Sequence, residues 1–309
     1  MKSELVRFLK RGARQGAWPL LQRYAVAPKI LSLPPIEVAR DAEFAVHIRV
    51  CERDAVMLHW AVRSFFLHCT NPCQLVIHDD GSCRPETLRK FKQTFVNATV
   101  YSRADALSIV GPRLEQYPYL YHWWRSSFTG IKWVDYYLLG ESKYVIFLDT
   151  DVLFFRRPID IFEIKSQAAW MSDCFDSLYF DPDTSSRLFG IRTLPQLNSG
   201  LGRVPRAWFD FSLAELVLKH ICEPEVVRRS EKLGLPKNDD QTFNAILSAS
   251  NGAWDLLPDS YLVATEPGLV GVVAKHYVTP RRFSFYEEAV PRVAAQLHLE
   301  LPRWLRERG

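Results

Sequence analysis

Residues 144–155, which read YVIFLDTDVLFF, determine how the rest of the chain is interpreted. The five residues from Tyr144 to Leu148 are apolar at every position, which is typical of a strand covered on both faces. Asp149 and Asp151 follow as this strand ends. Because side chains alternate along a strand, we expect the two carboxylates to point the same way.

Two carboxylates at the end of a buried strand repel each other and are costly to desolvate unless a cation lies between them. An all-oxygen pair favours Mg²⁺ or Mn²⁺, which proteins hold with one or two carboxylates and the phosphates of a substrate. The segment alone leaves a second interpretation open, in which Asp149 and Asp151 belong to a solvated turn.

The composition is that of a globular protein. The 309 residues are 48% hydrophobic, enough for one large core with appendages. The six cysteines form no Cys-x-x-Cys pair, and no apolar run approaches the roughly 18 residues of a membrane span, so we expect reduced thiols and a cytoplasmic protein. The net charge is +4, but residues 1–40 hold eight Lys or Arg against two Glu, which gives no support for nucleic acid binding by the remainder.

Three regions are predicted. Residues 1–40 form a basic N-terminal segment and a linker marked by Pro28, Pro34 and Pro35; within it, residues 2–24 have the spacing of an amphipathic helix. That helix is expected either to contact an anionic membrane surface, at the inner face of the membrane, or to pack on its own domain. Residues 41–290 form the main domain, and residues 291–309 a C-terminal amphipathic helix.

Strands and helices alternate through the main domain. The apolar spacing predicts strand 44–50, helix 54–68, strand 74–78, helix 85–95, strand 99–101, helix 123–139, strand 144–148, strand 168–172, an irregular stretch 173–195, helices 210–220 and 239–248, and strand 270–277. Asp54 is suited to cap the first helix. This order predicts an α/β fold with a mostly parallel sheet, whose ligands bind at the carboxyl ends of the strands. Asp79 and Asp80 fall at such an end, as Asp149 does.

Four motifs occur in an order that resembles a known family. They are Phe147-Leu148-Asp149-Thr150-Asp151, Leu197-Asn198-Ser199-Gly200, Asp240-Gln241-x-x-Asn244 and Lys275-His276-Tyr277. The set resembles the GT-A nucleotide-sugar glycosyltransferases, and most closely the retaining family of glycogenin and bacterial lipopolysaccharide galactosyl- and glucosyltransferases. The resemblance covers roughly residues 43–285 and implies a Rossmann-like mixed sheet flanked by helices.

The resemblance also implies a site. It would bind Mn²⁺ or Mg²⁺ and a nucleotide-sugar donor, with a UDP-hexose favoured, and would act on a glycan or glycolipid acceptor. The implied metal ligands are Asp149, Asp151 and His276. The remaining implied residues are Lys132, with Arg125 as the fallback, facing the donor; Asp79 and Asp80 at the nucleoside; Asn198 at the donor sugar or acceptor; Asp240 at a sugar hydroxyl; and Gln241 beneath the anomeric carbon.

The chain departs from the family after the histidine, where Thr279-Pro280-Arg281-Arg282 replaces the family's Gly and the Lys-Pro-Trp that follows it. Either Arg281 and Arg282 clamp the phosphates or they form surface ion pairs. The resemblance implies retention of anomeric configuration. Three alternatives stay open: an inverting enzyme with Asp239 or Asp240 as base, a haloacid-dehalogenase-type phosphatase with Asp149 as nucleophile, and a non-catalytic sugar-nucleotide-binding protein.

Overall fold

The computed structural model describes residues 18–163, 167–174, 177–193, 196–226, 239–252, 254–278 and 281–299. The strands are β1 Ile36–Glu37, β2 Phe44–Val50, β3 Cys73–Asp79, β4 Phe95–Val96, β5 Thr99–Tyr101, β6 Tyr144–Leu148, β7 Val152–Phe154, β8 Ala168–Ser172, β9 Leu197–Pro205, β10 Trp254–Leu256, β11 Tyr261–Val263 and β12 Ala274–His276. The helices are α1 Ala55–His68, α2 Pro85–Thr94, α3 Arg103–Leu114, α4 Pro118–Ser126, α5 Phe128–Leu138, α6 Ile159–Glu163, α7 Pro182–Phe189, α8 Phe211–Ile221, α9 Asp239–Asn251, α10 Arg282–Ser284 and α11 Val290–Gln296.

The central sheet has seven strands in the order β10-β8-β9-β6-β2-β3-β5. All neighbours are parallel except β9, which is antiparallel to both β6 and β8. The predicted α/β fold with a mostly parallel sheet is confirmed. Since β3 and β6 both flank β2, their carboxyl ends meet at one edge of the sheet.

Strand β6 is buried on both faces, as its apolar sequence predicts. Ile146 and Leu148 belong to the apolar cluster that includes α1, whereas Val145 and Phe147 belong to the cluster that includes α5 and α9. Each face of the sheet therefore carries its own core, and β6 separates the two. The carboxylates that follow β6 emerge from between these cores.

A second sheet of three strands brings distant sequence to the end of β6. In it, β12 pairs antiparallel with β7, and His276 lies opposite Val152. The Tyr277 N–H donates to the Asp151 carbonyl over 2.9 Å. This pairing fixes His276 beside Asp151, 125 residues earlier in the chain.

Four predicted elements differ in the structure. The helix predicted over 123–139 is two helices, α4 and α5, which are separated at Ser127. The irregular stretch 173–195 contains α7, capped by the Asp181 side chain and ended by a left-handed Gly190. The strand predicted over 270–277 is confined to β12. Of the C-terminal helix predicted over 291–309, the structure shows α11, which ends at Gln296, whereas residues 300–309 lie outside the described residues.

The described part of the N-terminal segment packs on the domain. Val26, Ala27 and Ile30 are fully buried in the core, and the Trp60 indole donates to the Ala27 carbonyl over 3.0 Å. Residues 27–32 form a 3₁₀ helix rather than an extended linker. Residues 2–17 of the predicted amphipathic helix lie outside the described residues. Within the described ranges, none of the helices has the length and apolarity that crossing a membrane requires.

Candidate functional site

Asp149, Asp151 and His276 come together at the carboxyl end of β6. Each offers a ligand atom, and these three atoms lie within 4.8 Å of one another. His276 Nε2 is 3.1 Å from Asp151 Oδ1 and 3.6 Å from Asp149 Oδ2. The structure thus assembles the three residues predicted as metal ligands into one cluster.

The second oxygen of each carboxylate is held by a cation. Lys132 Nζ lies 2.8 Å from Asp149 Oδ1, and Arg282 Nε lies 2.8 Å from Asp151 Oδ2. Consequently Asp149 Oδ2 and Asp151 Oδ1 are the oxygens turned toward the imidazole. Two carboxylate oxygens around a common point suit Mn²⁺ or Mg²⁺, and a neutral imidazole nitrogen beside them is a credible further ligand for Mn²⁺.

The tautomer of His276 follows from its contact with Asn198. Asn198 Nδ2 donates to Asp173 Oδ2 over 3.1 Å, and Asn198 Oδ1 accepts the Gly200 N–H over 2.9 Å, which fixes the orientation of the amide. His276 Nδ1, 2.9 Å from Asn198 Oδ1, must therefore be the donor. A histidine whose Nδ1–H is held in this way presents Nε2 to a metal.

The charges of this cluster shift its titration. Burial alone would lower the pKa of His276, but the carboxylates of Asp151 and then Asp149 outweigh burial and raise that pKa. Burial alone would raise the pKa of Asp151, but His276 and Arg282 outweigh it and hold the pKa well below its usual range. Without a metal, the structure therefore favours a protonated His276 paired with Asp151. A metal would displace that proton.

Lys132 connects the metal-ligand cluster to α9. Its ammonium group is 3.3 Å from Asp240 Oδ2 and 3.4 Å from Ser199 Oγ, and Ser199 Oγ donates to Asp240 Oδ2 over 2.7 Å. Burial alone would lower the pKa of Lys132, but Asp149 and then Asp240 raise it. The fallback residue, Arg125, is exposed on α4 and contacts Tyr121 instead.

Gln241 lies next to this network and is anchored through its amide nitrogen. Nε2 lies 2.7 Å from Asp173 Oδ2, 2.9 Å from Ser177 Oγ and 2.6 Å from the Leu197 carbonyl oxygen. Asp173 thus binds both Gln241 and Asn198. It directly follows β8 at the end nearest the site, a position that the strand-end rule could have identified but that the sequence analysis missed.

Asp239 precedes Asp240 at the start of α9. Its carboxylate accepts hydrogen bonds from the Trp123 indole and, over 2.9 Å, from the Asp240 N–H. Burial, and then the neighbouring Asp240 carboxylate, raises the pKa of Asp239. Asp239 therefore faces α4, whereas Asp240 faces Lys132.

Asp79 and Asp80 lie at the same edge of the sheet, one strand beyond β2. Asp80 Oδ1 accepts the Ser82 N–H over 3.0 Å, Asp79 Oδ1 accepts the Cys83 N–H over 3.0 Å, and Gly81 has a φ of +96°. These contacts build the turn that the residue types favour. Arg49, which the sequence analysis did not select, lies 3.6 Å from Asp80 Oδ2.

Arg281 and Arg282 have different surroundings. Arg282 bridges Asp151 to Asp54, whose Oδ2 lies 3.1 Å from Arg282 Nη1. Asp54 makes no side-chain cap at α1, so its predicted capping role is wrong: its carboxylate is bound by Arg282 instead. Arg281 lines a cavity of 310 Å³ together with Glu266.

Asn198 was predicted to contact the sugar. In the structure both polar atoms of its amide already have protein partners, Asp173 on one side and His276 on the other. Ser199, which lies within the Asn-Ser-Gly motif but was given no role, instead contacts Lys132 and Asp240.

No family model matches the sequence, and no curated protein matches it. Solved structures do. The galactosyltransferase LgtC, in complex with donor and acceptor sugar analogues, aligns with a TM-score of 0.50 at 13% identity, over 85% of this chain and 99% of that one. The bifunctional glycosyltransferase WbbM, in its apo structure, aligns with a TM-score of 0.51 at 10% identity, over 86% of this chain and 51% of that one. The chain therefore has the GT-A fold of these glycosyltransferases.

Proposed function

We propose that the protein is a metal-dependent glycosyltransferase. It transfers a hexose from a nucleotide-diphosphate sugar, with a UDP-hexose favoured, to a glycan or glycolipid acceptor with retention of anomeric configuration. The observation that carries this proposal is the division of the two carboxylates: Lys132 and Arg282 hold one oxygen of each, and the other oxygen of each faces His276 Nε2. The GT-A fold supports the same activity and gives no support to the phosphatase alternative.

Asp149 Oδ2, Asp151 Oδ1 and His276 Nε2 are the atoms that would hold Mn²⁺ or Mg²⁺. When bound, the metal would act as a Lewis acid that stabilises negative charge on the departing nucleoside diphosphate. Asn198 holds the His276 ring so that Nε2 stays directed at the carboxylates. We therefore assign Asn198 to positioning the ligand rather than to binding the sugar.

Other residues of the network are assigned to the donor. Asp240, which is held by Lys132 and Ser199, is assigned to a hydroxyl group of the donor sugar. Gln241, whose amide nitrogen is anchored to the Leu197 carbonyl, is assigned to the anomeric carbon of that sugar. Asp79 and Asp80 are assigned to the nucleoside, with Arg49 beside Asp80. Membrane contact by residues 2–24 remains a proposal and would bring a glycolipid acceptor close.

The metal assignment is tested with Asp151→Asn. Calorimetric titration of UDP should show that Mn²⁺ strengthens UDP binding to the wild type. In the variant, the increase in UDP affinity caused by Mn²⁺ should be at least tenfold smaller, a difference of about 1.4 kcal/mol. Asp255→Asn, at an exposed position of β10, is the matched control and should keep the full gain. Equal UDP affinity with Mn²⁺ and with EDTA in the wild type would rule out the metal assignment.

Retention is tested by the anomeric configuration of the product, read by NMR. The two α9 residues that we assign to the sugar are Gln241, an uncharged amide, and Asp240, which is paired with Lys132. We expect a product with the configuration of the donor, with Gln241→Ala slowing turnover without abolishing it and Asp240→Asn more damaging. An inverted product would instead identify Asp239 or Asp240 as a base. Failure of the wild type to transfer or hydrolyse any nucleotide sugar, with binding intact, would favour the non-catalytic alternative.

A further inference from the structure

Two cysteines meet at the edge of the sheet opposite the carboxyl end of β3. Cys69 directly follows α1, and Cys73 is the first residue of β3. Their sulfur atoms are 4.0 Å apart. That is van der Waals contact, and an S–S bond of about 2.05 Å needs only a modest approach of the two side chains.

The two thiols line the same groove but differ in exposure. The groove has a volume of 390 Å³, and Cys69 and Cys73 both belong to its wall, as do Arg63 and Asn71. Cys69 is partly exposed, whereas Cys73 is buried. A small molecule that enters the groove therefore reaches Cys69 first, with Cys73 behind it.

We propose that Cys69 and Cys73 are a thiol modification site that forms a reversible disulfide by exchange with a small disulfide of the glutathione type. The Cys69 thiolate attacks one sulfur of the oxidised reagent, forms a mixed disulfide and releases one glutathione thiolate. Cys73 then attacks Cys69 Sγ, and the second glutathione leaves and takes up the Cys73 proton. Two protein thiols are oxidised and one glutathione disulfide is reduced to two glutathiones.

The electrostatics agree with this division of roles. The hydrogen bond with Cys73, opposed by burial and assisted by the Asn71 backbone and the Arg157 cation, lowers the pKa of Cys69. The same hydrogen bond and burial raise the pKa of Cys73. The thiolate is the nucleophile in exchange, so Cys69 attacks and Cys73 resolves. Cys174 is exposed, but partial desolvation of its thiol and then the Asp173 carboxylate raise its pKa to about 11. Its thiolate fraction is therefore small, which slows its exchange with a disulfide.

The test uses the full chain, reduced and then treated with glutathione disulfide. Mass spectrometry of the wild type should show loss of two hydrogens in the peptide that contains both Cys69 and Cys73, reversed by dithiothreitol. Cys73→Ser should instead keep one glutathione on Cys69, and Cys69→Ser should form neither product. Cys73→Ala is the second variant, because serine at this buried position adds a polar group to the core.

Cys174→Ser and Cys222→Ser are the controls, since both cysteines are exposed and lie outside the groove. Each should form the Cys69–Cys73 disulfide as fast as the wild type does. The proposal would be overturned if Cys174 or Cys222 is glutathionylated at least as fast as Cys69 is. It would also be overturned if the wild type keeps glutathione on Cys69 and forms no disulfide with Cys73. None of these outcomes depends on glycosyl transfer.

Discussion

Gly200 has no room for a side chain because the His276 ring lies directly against it. A Cβ at this position would be 2.2 Å from His276 Cε1 and 2.3 Å from Nδ1. Gly200→Ala should therefore displace the imidazole from Asn198 and from the two carboxylates. We expect Mn²⁺ affinity to fall at least tenfold, or about 1.4 kcal/mol, measured by calorimetric titration of the metal.

Gly111→Ala is the matched control for this prediction. Gly111 lies inside α3, where an added Cβ would meet no atom within 4 Å beyond its chain neighbours and the backbone of its own helix. The change should leave Mn²⁺ affinity as it is, because none of the three residues that would hold the metal lies on α3. If Gly200→Ala leaves Mn²⁺ affinity unchanged, metal binding does not require His276 in the position that it has in this structure.

The residues of the site differ in how far sequence could predict them. Asp149 and Asp151 could be selected because two carboxylates follow a buried strand, but the structure places them in the turn between β6 and β7 rather than on an alternating strand. His276 does not, because its place beside Asp151 depends on the pairing of β12 with β7, which only the family resemblance anticipated. The contacts of Asn198 with Asp173 and His276 were not predicted, since the pairing of β8 and β9 shifts register at this point and sequence gives no sign of that shift.

At the scale of single elements, the separation of α4 from α5 depends on Ser127. Its hydroxyl oxygen accepts the N–H groups of Thr129 and Gly130 over 3.2 and 3.4 Å, which caps α5. Ser127→Ala should destabilise the protein by about 1 kcal/mol, the usual cost of losing an N-cap. Urea unfolding measures this change in the free energy of unfolding.

Ser126→Ala tests whether the effect belongs to the cap. Ser126 is the preceding residue, is exposed, and donates its hydroxyl to the His122 carbonyl within its own helix. Its removal should change the free energy of unfolding by no more than about 0.5 kcal/mol. If the two variants unfold alike, the hydroxyl of Ser127 does not stabilise the start of α5.

Sequence could not predict this helix break because serine is also tolerated inside helices and the apolar spacing continues across it. The break allows α5 to pack closely on α4, where a Cβ on Gly130 would lie 2.8 Å from the Trp123 carbonyl oxygen. Similarly, the predicted strand 270–277 begins with a mostly apolar run from Val270 to Ala274, yet Val270 is fully exposed. Its two pairing partners, β7 and β11, have only three residues each, and both pair with Ala274–His276, which is therefore the part that forms a strand.

At the scale of the whole molecule, the alternation of strands and helices was enough to predict the sheet, since each apolar strand needs cover on both faces. The N-terminal segment shows what this pattern omits. Val26, Ala27 and Ile30 complete the core on the α1 face, with Trp60 bonded to the Ala27 carbonyl. A basic segment that contains prolines gives no sequence sign of that contact, which depends on the shape of the surface that α1 leaves open.

The stability of the molecule should depend on pH through His59, which is buried between the rings of Phe91 and Phe95. Burial, and after it the Arg63 and Lys90 cations, lowers its pKa to about 3. The folded state therefore keeps His59 neutral, whereas the unfolded chain binds a proton below about pH 6.5. The contribution is complete above pH 6.5, and each pH unit below it costs about 1.4 kcal/mol until the folded state also protonates near pH 3.

His59→Phe should remove this dependence. Nδ1 of His59 has no hydrogen-bond partner among the described residues, so an apolar ring in its place loses no bond there and packs against two phenylalanines. Near pH 7.5 the variant should be about as stable as the wild type. At pH 5, which is roughly 1.5 pH units below the pKa of an unfolded histidine, the wild type has lost about 2 kcal/mol of its free energy of unfolding. The variant should be more stable than the wild type by this amount in urea unfolding. His122→Gln, at an exposed position, should follow the wild-type curve at both pH values. A constant difference between His59→Phe and the wild type from pH 7.5 to 5 would show that His59 already carries its proton in the folded state, and that its burial does not limit acid stability.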